Sequence, residues 1–401
     1  MKLYDLTITE AIDLLQKKEI SATELTKAHL NRMDGLQKLN AFITETPDRA
    51  LADAKKSDTH YKNGTARPLE GIPIAHKDLF CTKDIPTTAG SKILEIPASF
   101  SGVVGVKPTY GFASRYGCVP LASSLDHPGI IARNVKDSAL LLKEIGGYDS
   151  KDSTSAPHNV PNFVKNLNPS IKGIKIGIIK ESDIEGLATE IKNIWLETAK
   201  KLESEGAEII EVSLPHLPYA LASYHVLCPS EASSNLARYD GIRFGHRSKN
   251  AKNLEEIYKK SRAEGFGEEV KRRILVGTFS LSSGAYDAYF IKAAKVRRLI
   301  ANDYKKAFEK VDILFSPTTA TTAFGLEEEL TPVEMYACDV LTVGADLAGI
   351  PSISVPAGYS KNGLPIGLLL ETNHFEEQTL FNIGSAIETL MPKMKKPSEI
   401  L

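Results

Sequence analysis

The residue of this sequence best suited to acid–base chemistry is Lys77, which ends a short apolar run. Its neighbours Ile72, Ile74 and Leu79 would withdraw the ammonium from water, and desolvation lowers a lysine pKa toward the range of a general base. The apolar run predicts a strand over residues 74–78 that ends in polar side chains. The alternative is a structural lysine whose stem packs on apolar surface while its ammonium reaches water.

A lysine base needs a nucleophile that it can activate, because a serine hydroxyl attacks poorly until its proton is removed. The serines that stand nearest in the sequence are Ser91, Ser99, Ser101, Ser123 and Ser124. None is flanked by the pair of glycines that forms a tight turn lined with backbone N–H groups. We interpret these serines as turn and cap residues, with a substitute nucleophile among them as the alternative.

Several blocks of the sequence resemble the amidase signature family. The first group includes the lysine-bearing segment of that family and the segments downstream of its nucleophile, at residues 71–95, 97–102, 106–111, 114–117 and 123–126. A second group is similar to the A subunits of tRNA-dependent amidotransferases within that family, at residues 231–243, 265–274, 286–289 and 295–298. The resemblance covers nearly the whole chain. It implies an α/β fold with a mixed central sheet flanked by helices.

The resemblance also identifies what this sequence lacks. Members of the family use a lysine, a bridging serine and a nucleophilic serine, and a Gly/Ser-rich segment carries the two serines. Here Glu95 is followed directly by Ile96, and on the order of eighty residues are missing at that point by comparison with the family. Of the implied Ser–Ser–Lys triad only Lys77 remains. Three origins stay open: residues omitted from the written sequence, a gene for a shortened subunit, or deliberate removal.

A second departure lies close to Ser123 and Ser124. The order at residues 127–131 is His-Pro-Gly-Ile-Ile, where the family more usually has Gln-Ile-Gly-Pro. This difference predicts a changed geometry at that part of the site.

The resemblance implies three substrate-binding residues, Tyr224, Arg273 and Asp339. The α-carboxylate of a glutamine substrate favours a guanidinium such as that of Arg273, and its α-ammonium favours a carboxylate such as that of Asp339. From pattern alone Arg273 belongs to a solvated basic helix face and Tyr224 to the core. Asp339 stands among apolar residues, and a buried aspartate needs a partner.

The implied function is glutamine hydrolysis that supplies ammonia to an ATP- and Mg-dependent transamidation of Glu-tRNA(Gln) or Asp-tRNA(Asn). The implied partners are the B and C subunits of the amidotransferase, with the tRNA bound mainly by the first of these. ATP and Mg are used by the complex, and no cofactor is expected on this chain. A non-catalytic scaffold of the same complex and a stand-alone amidase are the alternatives.

A run of basic residues lies between Arg273 and Asp339 in the sequence and could contact tRNA phosphates. Its members recur at helical spacing, at Lys292, Lys295, Arg297, Arg298, Lys305 and Lys306. No aromatic stacking platform is interleaved with them, so a solvated helix face is the better interpretation. The net charge of −1 likewise gives the chain no overall basic field for RNA.

Composition is that of a globular chain, with 42% hydrophobic and 25% charged residues among 401. No apolar run is long enough to predict a membrane span, and no signal-peptide pattern is present. The four cysteines are widely spaced, which suits a reducing cytoplasm, and neither they nor the histidines form a metal-ligand motif.

We expect one amidase-like domain over residues 1–401. Residues 1–147 carry Lys77 and the junction at 95/96, residues 148–170 form a polar connector, and residues 171–401 include a mostly helical region at 218–310. Capping boxes at Thr7 and Ser21 predict two N-terminal helices. A strand at 174–179, a helix at 184–205 and a strand at 209–212 are predicted to form a strand–helix–strand unit, and further strands are predicted at 311–315, 352–355 and 365–370.

Overall fold

The computed structural model describes residues 2–85, 87, 95–325 and 327–400. Within this part of the chain, the core is a mixed sheet of seven strands in the order β2-β1-β6-β7-β5-β3-β4. The strands are β1 (Val104–Lys107), β2 (Ile130–Ala132), β3 (Lys175–Ile179), β4 (Glu208–Val212), β5 (Ile313–Pro317), β6 (Ser352–Tyr359) and β7 (Pro365–Glu371). The expected α/β architecture with a mixed central sheet is confirmed.

Helices surround this sheet. They are α1 (Ile8–Gln16), α2 (Ala22–Asp34), α3 (Pro47–Asn63), α4 (Glu95–Ser101), α5 (Val135–Ile145), α6 (Thr189–Ser204), α7 (Ala220–Leu236), α8 (Leu254–Gly265), α9 (Glu268–Ser280), α10 (Lys292–Ala307), α11 (Pro332–Ala337), α12 (Val343–Ala348), α13 (Glu377–Leu390) and α14 (Pro397–Ile400). A π-helical turn at Asp287–Ile291 leads into α10.

Alternation along the strands separates two apolar cores. In β5, Ile313 and Phe315 point to one core and Leu314 to the other. Helices α5, α6 and α13 cover the first face, and helices α7, α10 and α12 cover the second. The second core contains Tyr224, so this implied substrate-binding residue belongs to that face of the sheet.

The strand–helix–strand unit is confirmed. Strands β3 and β4 pair in parallel across α6, and β5 pairs in parallel with β3 on its other side. Helix α6 begins five residues later than predicted, because Gly186 turns the chain at φ +86°. Strands β6 and β7 form an antiparallel hairpin around Gly363.

The two N-terminal capping boxes are also confirmed. The Thr7 hydroxyl accepts from the Glu10 backbone N–H, and the Glu10 carboxylate accepts from the Thr7 N–H, with the same arrangement at Ser21 and Glu24. These motifs could be identified from sequence because all their partners lie within four residues.

The strand predicted at residues 74–78 is wrong. That segment is irregular, and only Phe80 forms an isolated bridge, with Cys118. Pro73 removes a backbone donor, and no neighbouring strand among the described residues pairs with the segment.

Residues 148–170 contain neither helix nor strand, and the sheet takes strands from both sides of this connector. Residues 218–310 are mostly helical. Among the described residues, no helix is both long and apolar enough to cross a membrane.

Candidate functional site

One face of α7 connects the implied substrate site to the loop that contains Ser123 and Ser124. Tyr224, Cys228, Glu231 and Asn235 follow at intervals of four, three and four residues, which places them in one stripe along the helix. Tyr224 and Cys228 are buried. Glu231 and Asn235 bond to the loop that contains Ser123 and Ser124, so this stripe joins both regions.

Helix α9 approaches α7 unusually closely at Gly277. A Cβ atom placed on Gly277 would lie 1.9 Å from the backbone carbonyl oxygen of Pro229. Glycine is therefore required for the two helices to meet at this distance. The contact holds Arg273, one turn earlier on α9, beside the face of α7 that carries Tyr224.

Tyr224 lies in the second core with 5% of its surface exposed. Burial raises its pKa well above the ordinary value, and the neighbouring Cys228, Asp346 and Asp339 act in the same direction. Asp339 is therefore close enough to Tyr224 to influence it. The phenol stays protonated at neutral pH and can act as a hydrogen-bond donor.

Arg273 is half-buried and paired with Glu269, whose Oε1 accepts from Arg273 Nε at 2.9 Å. Burial acts to lower the pKa of Arg273, but the hydrogen bond to Glu269 and the nearby Cys228 and Tyr224 outweigh it and leave the pKa raised. The guanidinium lies over the ring of Tyr336 at 6.0 Å. The interpretation of Arg273 as part of a solvated basic face is thus wrong.

Asp339 occupies the turn that follows α11 and is half-buried rather than enclosed by apolar residues. Its backbone oxygen accepts from the N–H groups of Thr342 and Val343 at 3.0 and 3.1 Å, which fixes the turn. Tyr224, Arg273 and Asp339 come from three different elements, and the structure brings all three into one neighbourhood.

Lys77 is half-buried, and Ile74 is 59% exposed, so Ile74 does not contribute the desolvation that the sequence predicted. The segment after Lys77 is tied to the loop around Cys118. Cys81 N–H donates to Gly117 O at 2.7 Å, and Leu79 O accepts from Val119 N–H at 2.9 Å. These bonds attach the segment after Lys77 to one wall of a cleft of about 900 Å³ that Gly117 and Cys118 line, although Lys77 itself is not among the residues that line it.

We call this cavity the central cleft, and it lies between the C-terminal half of α7 and the loop at residues 121–126. Its walls include Tyr110, Cys118, Ser123, Ser124, Glu231 and Arg238. The cleft is large enough to hold a small polar substrate.

The serines that line the cleft hold its loop in place. Ser124 donates from its N–H and Oγ to the two oxygens of Glu231 at 2.8 and 2.6 Å. Ser123 Oγ accepts from Asn235 at 3.0 Å, and its backbone oxygen accepts from Tyr110 Oη at 2.6 Å. These contacts support the interpretation of both serines as structural.

Two of the remaining candidate serines also lack the surroundings of a nucleophile. Ser99 is buried and accepts from the Gly367 N–H at 3.1 Å, and Ser101 is exposed at the end of α4. Ser91 lies outside the described residues.

Arg297 corrects another prediction, because it points inward instead of joining the solvated basic face of α10. It donates to Ser124 Oγ at 2.6 Å, to Ser124 O at 2.9 Å and to Leu347 O at 2.7 Å. Burial lowers its pKa. Lys292, Lys295 and Arg298 are exposed, as the interpretation of a solvated helix face requires.

His127 is enclosed at the base of the same loop. Its Nδ1 donates to Leu125 O at 2.6 Å, and its Nε2 lies 3.7 Å from Asp346 Oδ1. Burial and the charge of Lys107 lower the pKa of His127 to about 3, so the ring is neutral at pH 7. The departure from the usual order at residues 127–131 therefore places a neutral imidazole beside the cleft loop.

Sequence reasoning missed Glu269, Tyr336 and His225, which surround Arg273. The spacing of four between Glu269 and Arg273 on a predicted helix is a signal that could have identified their ion pair. Tyr336 is 67 residues from Glu269 in the sequence, and the contact between them has no local signal. Among the described residues, no cluster of His, Cys, Asp and Glu is arranged to hold a metal ion.

The amidase family model matches the chain at residues 24–96 and 95–381. The two matches adjoin at the junction where the sequence predicted a missing segment. A protein from Rhodospirillum rubrum named as the A subunit of glutamyl-tRNA(Gln) amidotransferase is 43% identical over 485 aligned positions, which include 99% of this chain and 97% of that relative. Since this chain has 401 residues, at least 84 of those 485 positions lie opposite a gap. Both observations support the prediction that a segment of the family is missing from this chain.

A relative of the same name from Wolbachia pipientis is 41% identical, with 99% of each chain covered. The crystal structure of the glutamyl-tRNA(Gln) amidotransferase A subunit from Thermotoga maritima is 38% identical with a TM-score of 0.61, covering 75% of this chain and 60% of that one. A peptide amidase from Stenotrophomonas maltophilia shares the fold, with a TM-score of 0.79 at 23% identity and 98% of each chain covered. The chain described here belongs to the amidase family, in the group whose members are named as A subunits of glutamyl-tRNA(Gln) amidotransferase.

Proposed function

We propose that this chain is the glutamine-binding, ammonia-supplying A subunit of a tRNA-dependent amidotransferase. The observation that carries the proposal is the convergence of Tyr224, Arg273 and Asp339 from three separate elements. A guanidinium, a carboxylate and a protonated phenol are a suitable set for a free amino acid. The names of the relatives support the assignment to the amidotransferase.

In this proposal the two charged groups orient glutamine by its α-carbon substituents. Arg273 binds the α-carboxylate, because a guanidinium matches that group with two parallel hydrogen bonds. Asp339 binds the α-ammonium. The side-chain amide then extends toward the lysine segment, where Lys77 is the base that would activate the serines of the missing segment.

The ammonia released from glutamine is used within a larger assembly. The B subunit of that assembly amidates Glu-tRNA(Gln), with Asp-tRNA(Asn) as the alternative acceptor, and the C subunit holds the other two together. ATP and Mg activate the acceptor on the complex and not on this chain. We place this assembly in the cytoplasm.

A specific observation favours a second candidate, a non-catalytic A subunit that retains the substrate site. At least 84 aligned positions of the relative have no counterpart here, and the nucleophile segment expected from the resemblance is among the missing residues. The hydroxyl groups of Ser99, Ser123 and Ser124 are occupied in holding the structure. A lysine base without an activated hydroxyl performs no acyl transfer.

One experiment separates the two candidates: glutamine binding and ammonia release are both measured on the chain assembled with the B and C subunits. Binding together with ammonia release that disappears in Lys77→Ala supports the glutaminase. Binding without ammonia release supports the non-catalytic subunit. If glutamine does not bind, or binds equally well to Arg273→Ala, the proposed site is wrong. Arg298→Ala, which changes an exposed arginine on α10, is the matched control.

A further inference from the structure

The carboxylate of Glu269 joins the two segments that carry the charged groups of the proposed site. Its Oε1 accepts from Arg273 Nε at 2.9 Å and from Tyr336 Oη at 2.7 Å, and its Oε2 accepts from Arg272. Although burial acts to raise the pKa of Glu269, the hydrogen bonds from Tyr336 and Arg273 keep it below the ordinary value. Glu269 is therefore a permanent anion at neutral pH.

This contact fixes the direction of the Arg273 guanidinium. Because Nε is bound to Glu269, the edge formed by the two terminal nitrogens is the one directed away from that carboxylate. A rigid guanidinium loses less rotational freedom when it binds a carboxylate with both terminal nitrogens.

Tyr336 extends the effect to the ammonium-binding segment. It lies on α11, three residues before Asp339, and its hydroxyl bond to Glu269 ties that segment to α9. The ring of His225 on α7 packs against Tyr336 with centroids 4.2 Å apart. The segments that carry Tyr224, Arg273 and Asp339 thus all meet at Tyr336. The resemblance implied those three residues but not Tyr336.

The neighbouring imidazole does not compete with this arrangement. Burial and the charge of Arg273 lower the pKa of His225 to about 4, opposed by Glu269, so the ring is neutral at pH 7. His225 therefore places no positive charge beside the ion pair of Arg273 and Glu269.

We propose that Glu269 and Tyr336 are positioning residues that set the separation between the α-carboxylate site and the α-ammonium site. They restrict the substrate to a free amino acid amide that has both groups, and disfavour an amide whose α-carboxylate is blocked by an ester or a peptide bond. This inference rests on the proposed glutamine site and adds to it the residues that determine substrate class.

The test compares glutamine with glutamine α-methyl ester, which lacks the carboxylate charge, by NMR titration of the wild-type assembly and of Tyr336→Phe. Loss of the Tyr336 hydroxyl should weaken glutamine binding about tenfold, the value of one hydrogen bond to a charged group. Binding of the ester should change little, so the preference for glutamine over the ester falls by the same factor. Tyr258→Phe, at an exposed tyrosine on α8, is the control.

The outcomes separate this inference from the proposed function. If the wild-type assembly does not bind glutamine, the proposed function fails and this inference fails with it. If it binds glutamine, and Tyr336→Phe either has no effect or weakens glutamine and ester alike, the proposed function stands and the positioning role is wrong. Glu269→Gln, which keeps an oxygen acceptor but removes the charge, should lose part of the same preference and provides a second, nearly isosteric variant.

Discussion

At the scale of single residues, the cleft is organised by side chains that stabilise loops. Arg297 donates hydrogen bonds to both Ser124 and Leu347, and Glu231 on α7 accepts a hydrogen bond from the Ser124 N–H. Removing one of these bonded polar side chains should be costly, because each remaining partner loses its hydrogen bond while it is partly or wholly withdrawn from water.

We therefore expect Arg297→Ala to lower the free energy of unfolding by about 2–4 kcal/mol, since it leaves the carbonyl oxygens of Ser124 and Leu347 without their donor. Arg298→Ala, which changes the exposed adjacent arginine, should change it by less than about 0.5 kcal/mol. Urea unfolding of the two variants measures both values. Equal effects would mean that Arg297 contributes only as one of the basic residues of α10.

His127 gives a pH dependence of known sign. Its folded-state pKa is about 3, whereas an ordinary histidine titrates near 6.5. Between about pH 3 and pH 6.5 the unfolded chain therefore binds a proton at His127 that the folded chain does not bind. The contribution of neutral His127 to the free energy of unfolding is fully present above about pH 6.5 and is lost as the pH falls toward 3. Lys107 and Arg115 lower the pKa in addition to burial, and the bond to Leu125 opposes them.

Replacing His127 with Gln should remove this pH dependence. Between pH 7.5, where His127 does not titrate, and pH 4, the free energy of unfolding of the variant should fall by on the order of 3 kcal/mol less than that of the wild type. Urea unfolding across this pH range measures it. If His127→Gln leaves the slope of the free energy of unfolding against pH unchanged, other groups cause the acid sensitivity. His225, whose pKa is also lowered to about 4, is then the next residue to replace.

Prediction from sequence succeeded or failed at this scale according to how local the interaction is. The capping boxes at Thr7 and Ser21 were predicted because their partners are three residues apart, whereas the pair of Glu269 and Arg273 was missed although its spacing of four residues is a local signal. The inward direction of Arg297 depends on Ser124, 173 residues away, and the charge pattern of its own helix gave the opposite interpretation. Ile74 was expected to shield Lys77 because they are neighbours in sequence, but the irregular backbone leaves Ile74 exposed.

At the scale of elements, the contact between α7 and α9 determines the geometry of the proposed site. Gly277 lies directly on the Pro229 carbonyl, where a Cβ would come within 1.9 Å. Arg273 and Tyr224 stand on the two helices that meet there. Their separation therefore depends on one glycine that contacts neither of them.

Gly277→Ala should move α9 away from α7, lower the free energy of unfolding by about 2–3 kcal/mol and weaken glutamine binding at the same time. Gly284→Ala is the control, because nothing lies within 4 Å of a Cβ at that position. Thermal unfolding and glutamine titration test the pair. Normal binding in a destabilised Gly277→Ala variant would show that Arg273 adjusts to the shifted helix.

The elements themselves were predictable wherever their signals are local. The capping boxes, the strand–helix–strand unit and the mostly helical region follow from patterns within a few residues. The strand predicted at 74–78 required a pairing partner, which no local pattern supplies. Residues 88–94, which precede the junction at 95/96, lie outside the described residues, so the structure adds nothing there.

At the scale of the whole molecule, the two cores and the shared sheet account for the fold without the missing segment. Strands from both sides of the connector pair in one sheet, and helices cover both of its faces. Several large apolar side chains nevertheless remain exposed in the helical region and in α11, among them Leu275 at 71%, Phe279 at 58% and Val333 at 77%. Each exposed side chain of this size forgoes roughly 1.5–3 kcal/mol of burial.

We therefore expect the isolated chain to be marginally soluble and to depend on the proposed partner subunits. If the peptide is continuous from Glu95 to Ile96, we expect apolar surface that the missing segment would cover to face water, at a cost of about 25 cal/mol per Å². If the proposed B and C subunits bind the folded chain only, they should raise its melting temperature increasingly with their concentration. Differential scanning calorimetry of the chain with and without both partners measures the shift, and the Rhodospirillum rubrum relative, which carries the additional aligned positions, is the natural comparison. A sharp, cooperative transition of the chain alone at high temperature would contradict this expectation, since a core that has lost part of its cover should not melt in that way.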